Sequence, residues 1–237
     1  MELQQLERQI KQQLPLPSSV EIVSTKHFSI PIHTLLTKYT PIRRIPMDIL
    51  MKMMLRAFQT GRFQDAETVA DVLLVESLFI EDLLQKMKKT GLLTMEEAIQ
   101  LTEKGEAQLA AGIFEEQLEE MEQELFYSPL HASFLQGELE EFDEFPDELQ
   151  YIEQLSVMWN EQQIVDALQN GATNDHAEPT FITSINSVEE LQIHDVPCLQ
   201  FVLHNTSKDS FDIRVFNTLT NAWDAHLEQV IKEREQA

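Results

Sequence analysis

The chain has 237 residues, 43% of them hydrophobic, and carries 41 acidic against 17 basic side chains, a formal net charge of -24. That apolar content supports one large core or two small ones and excludes disorder throughout, while so negative a surface repels nucleic-acid phosphate and anionic membrane unless the cations are segregated. A single cysteine, Cys198, excludes an intramolecular disulfide and suits a reducing cytosol.

The first residues, MELQQLERQIKQQLPLP, carry Glu2 and Glu7 among their apolar positions and so lack the basic start and apolar run of a signal peptide. Leu3, Leu6, Ile10 and Leu14 recur at helical spacing, and Pro15 and Pro17 end that pattern. Residues 20–39 are rich in β-branched and aromatic side chains and predict a strand or two, with Pro31 placing one at a sheet edge. Pro41 and Pro46 bracket a short extended link.

Asp48 to Phe58 reads as a helix with Ile49, Leu50, Met53, Met54 and Leu55 on a broad apolar face. Asp65 to Leu74 is a second helix, with Ala66, Val69, Ala70 and Leu73 inward. Glu76 to Lys89 is a third, closed by Gly91. Leu92-Leu93 and Ala98 to Leu101 then predict a short strand pair, and Thr102 caps a further helix.

Three short helices, a Gly-Leu-Leu exit and a strand pair ending in Leu101-Thr102-Glu103-Lys104-Gly105 resemble the winged-helix superfamily over about residues 47–109. The resemblance is one of architecture and carries no family signature. It implies a third helix that presents basic or amide side chains to the major groove, whereas this one offers Glu76, Glu81 and Asp82. A basic patch for nucleic acid would have to come from Arg43, Arg44, Lys52, Lys86, Lys88 and Lys89, with Arg56 beside them. Nucleic acid is therefore a disfavoured partner.

Beyond Lys104 the charge becomes one-sided: residues 105–207 contain 22 Asp and Glu and no Lys or Arg. Leu109, Ile113, Phe114, Leu118, Met121 and Leu125 predict a long helix from Thr102 to about Phe126, with Glu115, Glu116, Glu119, Glu120, Glu122 and Glu124 on its other sides. The winged-helix resemblance implies that such a helix is a dimer or interdomain strut, and the alternative is a solvated face on an ordinary helix. Residues 136–150 alternate acidic groups with Leu139, Phe142 and Phe145. The pattern fits a mobile segment that docks on a basic apolar groove, or a linker pinned by its aromatics. Leu149, Ile152, Leu155 and Trp159 predict another helix that stops near Asn170-Gly171. Thr180 to Ile185, Cys198 to His204 and Phe211 to Phe216 are strand candidates, and a terminal helix runs on Trp223, Leu227 and Ile231. That helix has no visible cap, so the chain either frays there or continues in a longer protein.

Motifs for catalysis fail one by one. His176 with Asp175 and Glu178, and His194 with Asp195 and Cys198, are local ligand types without a paired motif. No GxSxG, GxGxxG or GxxxxGK[ST] spacing occurs among the six glycines. The chain is thus expected to be non-enzymatic, without metal or cofactor, cytoplasmic and without a membrane span.

The fold class expected is α+β and mainly helical, in four parts. Residues 1–46 hold a helix and short strands, 47–125 a winged-helix domain with its long helix, 126–150 an acidic aromatic linker, and 151–237 a small α+β domain. The function expected is a protein-interaction or regulatory subunit that docks a basic protein partner. Glu115, Glu116, Glu119, Glu120 and Glu122 would steer that partner, with Glu140, Glu141, Phe142, Asp143, Glu144 and Phe145. A winged-helix DNA-binding regulator and an acidic DNA mimic are the alternatives.

Overall fold

A computed structural model describes residues 2–61, 63, 65–95, 98–143, 146–149, 158–171 and 180–235. The chain divides into two compact units: Met1–Lys38 with Glu122–Ala172 and Ile185–Ala237, and Tyr39–Met121 with Thr173–Ser184. Two long strands, β1 (Val20–Pro46) and β7 (Thr180–Asn205), contribute residues to both.

In the first unit, α1 (Leu3–Gln13) precedes β1. The chain returns later as β5 (Met121–Ser128), β6 (Ser133–Leu135), α6 (Glu161–Gly171), β7, β8 (Ser210–Asn217), β9 (Ala222–Trp223) and α7 (Ala225–Glu235). The strand order is β6-β5-β1-β7-β8-β9. β7 and β8 form a regular antiparallel hairpin from Cys198↔Asn217 to Asn205↔Ser210, closed by a turn in which Asp209 takes the left-handed conformation.

Alternation along the strands gives this sheet two apolar faces. Phe28, Ile30, Ile32, Val196, Cys198, Ile213 and Val215 pack with Leu227 and Ile231 of α7. Leu199, Phe201, Leu203 and Phe216 face the other way and pack with Leu3 and Ile10 of α1. A strand buried on both faces reads as a nearly continuous apolar run, and Val196 to Val202 has that form apart from the buried Gln200.

In the second unit, the helices are α2 (Ile49–Thr60), α3 (Ala66–Leu73), α4 (Ser77–Lys89) and α5 (Glu103–Ala111). The strands are β2 (Leu93–Met95), β3 (Ile99–Leu101) and β4 (Ile113–Gln117), with the far end of β1. Side-chain caps start three of these helices. Asp48 accepts from the N–H groups of Leu50 and Met51, Asp65 from Thr68, and Thr102 from Gly105. The core gathers Met51, Met54 and Leu55 of α2, Val69 of α3, Ile80, Leu84 and Met87 of α4, and Phe114 of β4.

The structure corrects several expectations. The short helices and the hairpin form close to their predicted positions, but the frame of the protein is a large antiparallel sheet, with more residues in strand than in helix. The chain is neither mainly helical nor a winged-helix protein. The helix expected from Thr102 to Phe126 ends at Ala111, because Gly112 takes a left-handed conformation (φ 69°) that closes it. Past that glycine the backbone is extended: Ile42 to Pro46 of β1 pair antiparallel with Gln117 to Ile113. The apolar spacing from Ile113 to Leu125 suits either period, and cross-strand partners far away in sequence decide it. A homodimer through that helix loses its basis.

The strand or two expected over residues 20–39 is one strand that continues through the Pro41–Pro46 link, and Pro31 lies within a strand flanked by β5 and β7, not at an edge. Thr180–Ile185 and Cys198–His204 are the two ends of the single strand β7. Trp223 belongs to β9, ahead of the last helix. Ile152, Leu155 and His176 lie outside the described residues. No helix among the described residues is long and apolar enough to cross a membrane.

Candidate functional site

The acidic residues singled out in the sequence separate into three environments. Glu115 and Glu116 sit on β4 opposite Arg44 and Arg43. Arg44 Nε donates to Glu115 at 3.0 Å, and Arg43 Nη2 to Glu116 at 2.7 Å. Lys86 Nζ reaches Glu116 at 2.8 Å from α4 and lies 5.1 Å from the centre of the Phe114 ring. Arg43 beside Glu116, with Lys86, holds its carboxyl below the usual range against the opposing effect of burial. Two of the candidate acids, Glu115 and Glu116, thus pair with three of the candidate nucleic-acid cations, Arg43, Arg44 and Lys86. Arg44 also lies over Phe181, 4.7 Å from the ring centre. Lys52, on α2, is half-buried, while Lys88 and Lys89 are exposed in the last turn of α4.

Glu122 on β5 pairs with Lys38 at 2.6 Å. Glu119 and Glu120 lie exposed in the connection between β4 and β5. The long-helix picture placed all five glutamates on one strut, and the structure does not bring them together.

The third environment is the acidic aromatic segment. After β6 the chain passes Gly137, whose backbone lies against the carbonyl of Leu219. Glu138 N–H donates to that oxygen at 3.1 Å. Leu139 then packs on the α7 face of the sheet, and Phe142 is buried with Leu199, Phe201 and Phe216 on the other face. Glu140, Glu141 and Asp143 remain exposed between and beside these anchors, and Glu144 and Phe145 fall outside the described residues.

Facing this segment are His194 to Pro197 of β7 and the turn after β8. Thr218 Oγ donates to the carbonyl of Pro197 at 2.8 Å, and Asn217 Oδ1 accepts from Leu219 N–H at 3.0 Å. Together they enclose a cavity of about 450 Å³ lined by Glu138 to Phe142, His194 to Pro197, Thr218 and Leu219. Its apolar surfaces come from Leu139, Phe142, Val196, Pro197 and Leu219, and its carboxylates from Glu138, Glu140, Glu141 and Asp195. The volume is that of a small-ligand or side-chain pocket. A cation on an aliphatic stem, as in lysine or arginine, suits both kinds of wall. Sequence reasoning found the acidic wall, but His194, Asp195 and Thr218 arrive from residues distant along the chain.

One buried network was not legible in advance. Ser128 Oγ lies 2.6 Å from His131 Nδ1, and His131 Nε2 lies 3.0 Å from Asp224 Oδ2. Asp224 also accepts from Asn217 Nδ2 at 2.9 Å and caps α7 through Leu227 N–H at 3.0 Å. The residue types are those of a nucleophilic triad, but Ser128 has no exposed surface. A nucleophile must reach its substrate, so the geometry serves instead to tie the β5–β6 turn to α7. Only the cap could have been read beforehand, from Asp224 three residues before Leu227.

Cys198 is buried, and burial, with Asp224 nearby, pushes its thiol well above the ordinary range. No group of three or more metal-ligating side chains converges among the described residues. His194 meets Gln192 at 2.8 Å, and Cys198 points into the core, so the cluster considered in the sequence is not assembled.

No protein-family model matches the chain, and no match was found among curated proteins or solved structures.

Proposed function

We propose that this chain is a non-enzymatic interaction subunit of the reducing cytosol that docks a basic protein partner through the acidic cleft of its first unit. The observation that carries the reading is the cavity formed by Glu138 to Phe142 with His194 to Pro197, whose lining combines four acidic residues with apolar side chains. A lysine or arginine of the partner enters, its stem against Leu139 and Val196 and its charge among the carboxylates. Long-range attraction speeds the encounter, and the seated side chain slows release.

The test is binding of a labelled arginine-rich peptide to the full chain, followed by fluorescence polarisation. Replacing Glu138, Glu140 and Glu141 together with Gln weakens binding about tenfold or more and flattens its salt dependence. Equal affinity in the wild type and the triple variant removes the cleft from the reading.

A further inference from the structure

The second unit carries an apolar surface that its own core does not use. At the corner where α3 meets α4, Val72 is 60% exposed, Leu74 91%, Leu78 62% and Phe79 59%. Their neighbours Leu73 and Val75 turn inward against the core, so the chain had apolar positions to bury and left these outside. Leu74 also takes a left-handed backbone conformation, φ 56°, that glycine or asparagine adopts at less cost. A leucine there combines backbone strain with exposure, which folding alone does not reward.

The stretch of chain that forms this corner has charge of one sign. Residues 63–85 contain six Asp and Glu and no Lys or Arg. Asp71 and Glu76 flank the corner in sequence, and on α4 Glu81 and Asp82 follow Leu78 at three- and four-residue spacing, with Asp82 three residues after Phe79. All four are exposed. At that spacing the carboxylates stand beside the apolar side chains on the same side of the helix. The arrangement disfavours three occupants. An anionic lipid surface and nucleic acid meet the rim with like charge, and a second copy brings an identical acidic rim against this one.

We infer that the α3–α4 corner is a docking face for an amphipathic helical segment of a partner protein, apolar along one stripe and flanked by lysine or arginine. Leu74, Leu78 and Phe79 take the stripe, and the four carboxylates take the flanking cations. This face lies in the second unit and does not rest on the acidic cleft of the first. Exposed leucine and phenylalanine supply contact area, while the carboxylates select the partner and speed its approach.

The test uses the full chain and a fluorescein-labelled peptide of leucine and lysine in amphipathic helical order, titrated by polarisation in about 0.15 M salt. The double variant Leu78→Ser with Phe79→Ser keeps the wild-type melting midpoint, since neither ring nor branch is in the core, and loses about tenfold or more in affinity. Glu81→Gln with Asp82→Asn weakens binding less and flattens its salt dependence. The Glu138, Glu140 and Glu141 triple variant binds this peptide as the wild type does, which separates this face from the cleft. Three results overturn the inference. They are equal binding by the Leu78/Phe79 variant, equal binding of a scrambled peptide of the same composition, and a wild-type dimer in sedimentation that the double variant dissolves.

Discussion

Gly137 and Leu219 approach so closely that a Cβ on the glycine would lie 1.8 Å from the leucine carbonyl oxygen and 2.6 Å from its carbonyl carbon. Both neighbours are backbone, so no side-chain rotation relieves the overlap. The contact sets where the acidic segment leaves the sheet and thereby where Glu138 and Glu140 stand over the cleft.

Gly137→Ala is therefore expected to lower stability by about 1–3 kcal/mol, the usual cost of overpacking. It also weakens the arginine-rich peptide while sparing the amphipathic one. Thermal melts with both titrations check this, and an unchanged melting midpoint would contradict the close contact.

Glu116 joins two cations from different elements, Arg43 on β1 and Lys86 on α4. On the sequence alone, replacing Glu115, Glu116, Glu119 and Glu120 by Gln should leave folding largely intact. The structure divides the four. Glu116→Gln should cost about 1 kcal/mol, because these partly exposed pairs are discounted by solvent, whereas Glu119→Gln should be neutral within about 0.5 kcal/mol. Urea unfolding of the two single variants makes the comparison.

Asp224 defines a pH window. Burial alone would raise its pKa, but hydrogen bonds from His131, Asn217 and the Leu227 N–H outweigh that and lower it from 3.8 to about 2. A depressed folded pKa stabilises the native state above the unfolded value, and that contribution is lost as the pH falls from about 4 toward 2. Asp224→Asn should flatten the acid limb of the stability profile in this range and cost about 2 kcal/mol near neutrality. An acid limb identical in variant and wild type would assign the loss to other carboxylates.

Cys198 should resist thiol reagents in the native protein, since burial disfavours its thiolate and blocks access. Labelling in rising denaturant should follow global unfolding. Rapid reaction in buffer would show an opening of the β7–α7 packing that the structure does not contain.

Reading from sequence succeeded where local chemistry decides and failed where distant partners decide. Asp48, Asp65 and Thr102 announce their helices through bonds to N–H groups two or three residues on, so α2, α3 and α5 were legible at their starts. Residues 113–125 carry apolar spacing compatible with helix, and backbone pairing with β1, far earlier in the chain, makes β4 and β5 strands. The winged-helix likeness rested on local elements, α2 to α4 and the β2-β3 hairpin, and could not register the large sheet built from other strands. Within the site, Glu138 to Phe142 stood out by composition. His194 to Pro197 and Thr218 carried no comparable signal, because their role comes from the topology of β7 and β8.

Because β1 and β7 each supply residues to both units, neither unit is a continuous stretch of polypeptide. Phe28, Ile30 and Ile32 are made long before the helix that covers them, which carries Leu227 and Ile231. A growing chain must hold these apolar residues without their native cover until nearly 200 further residues have been added, and this is the window in which a chaperone would find it.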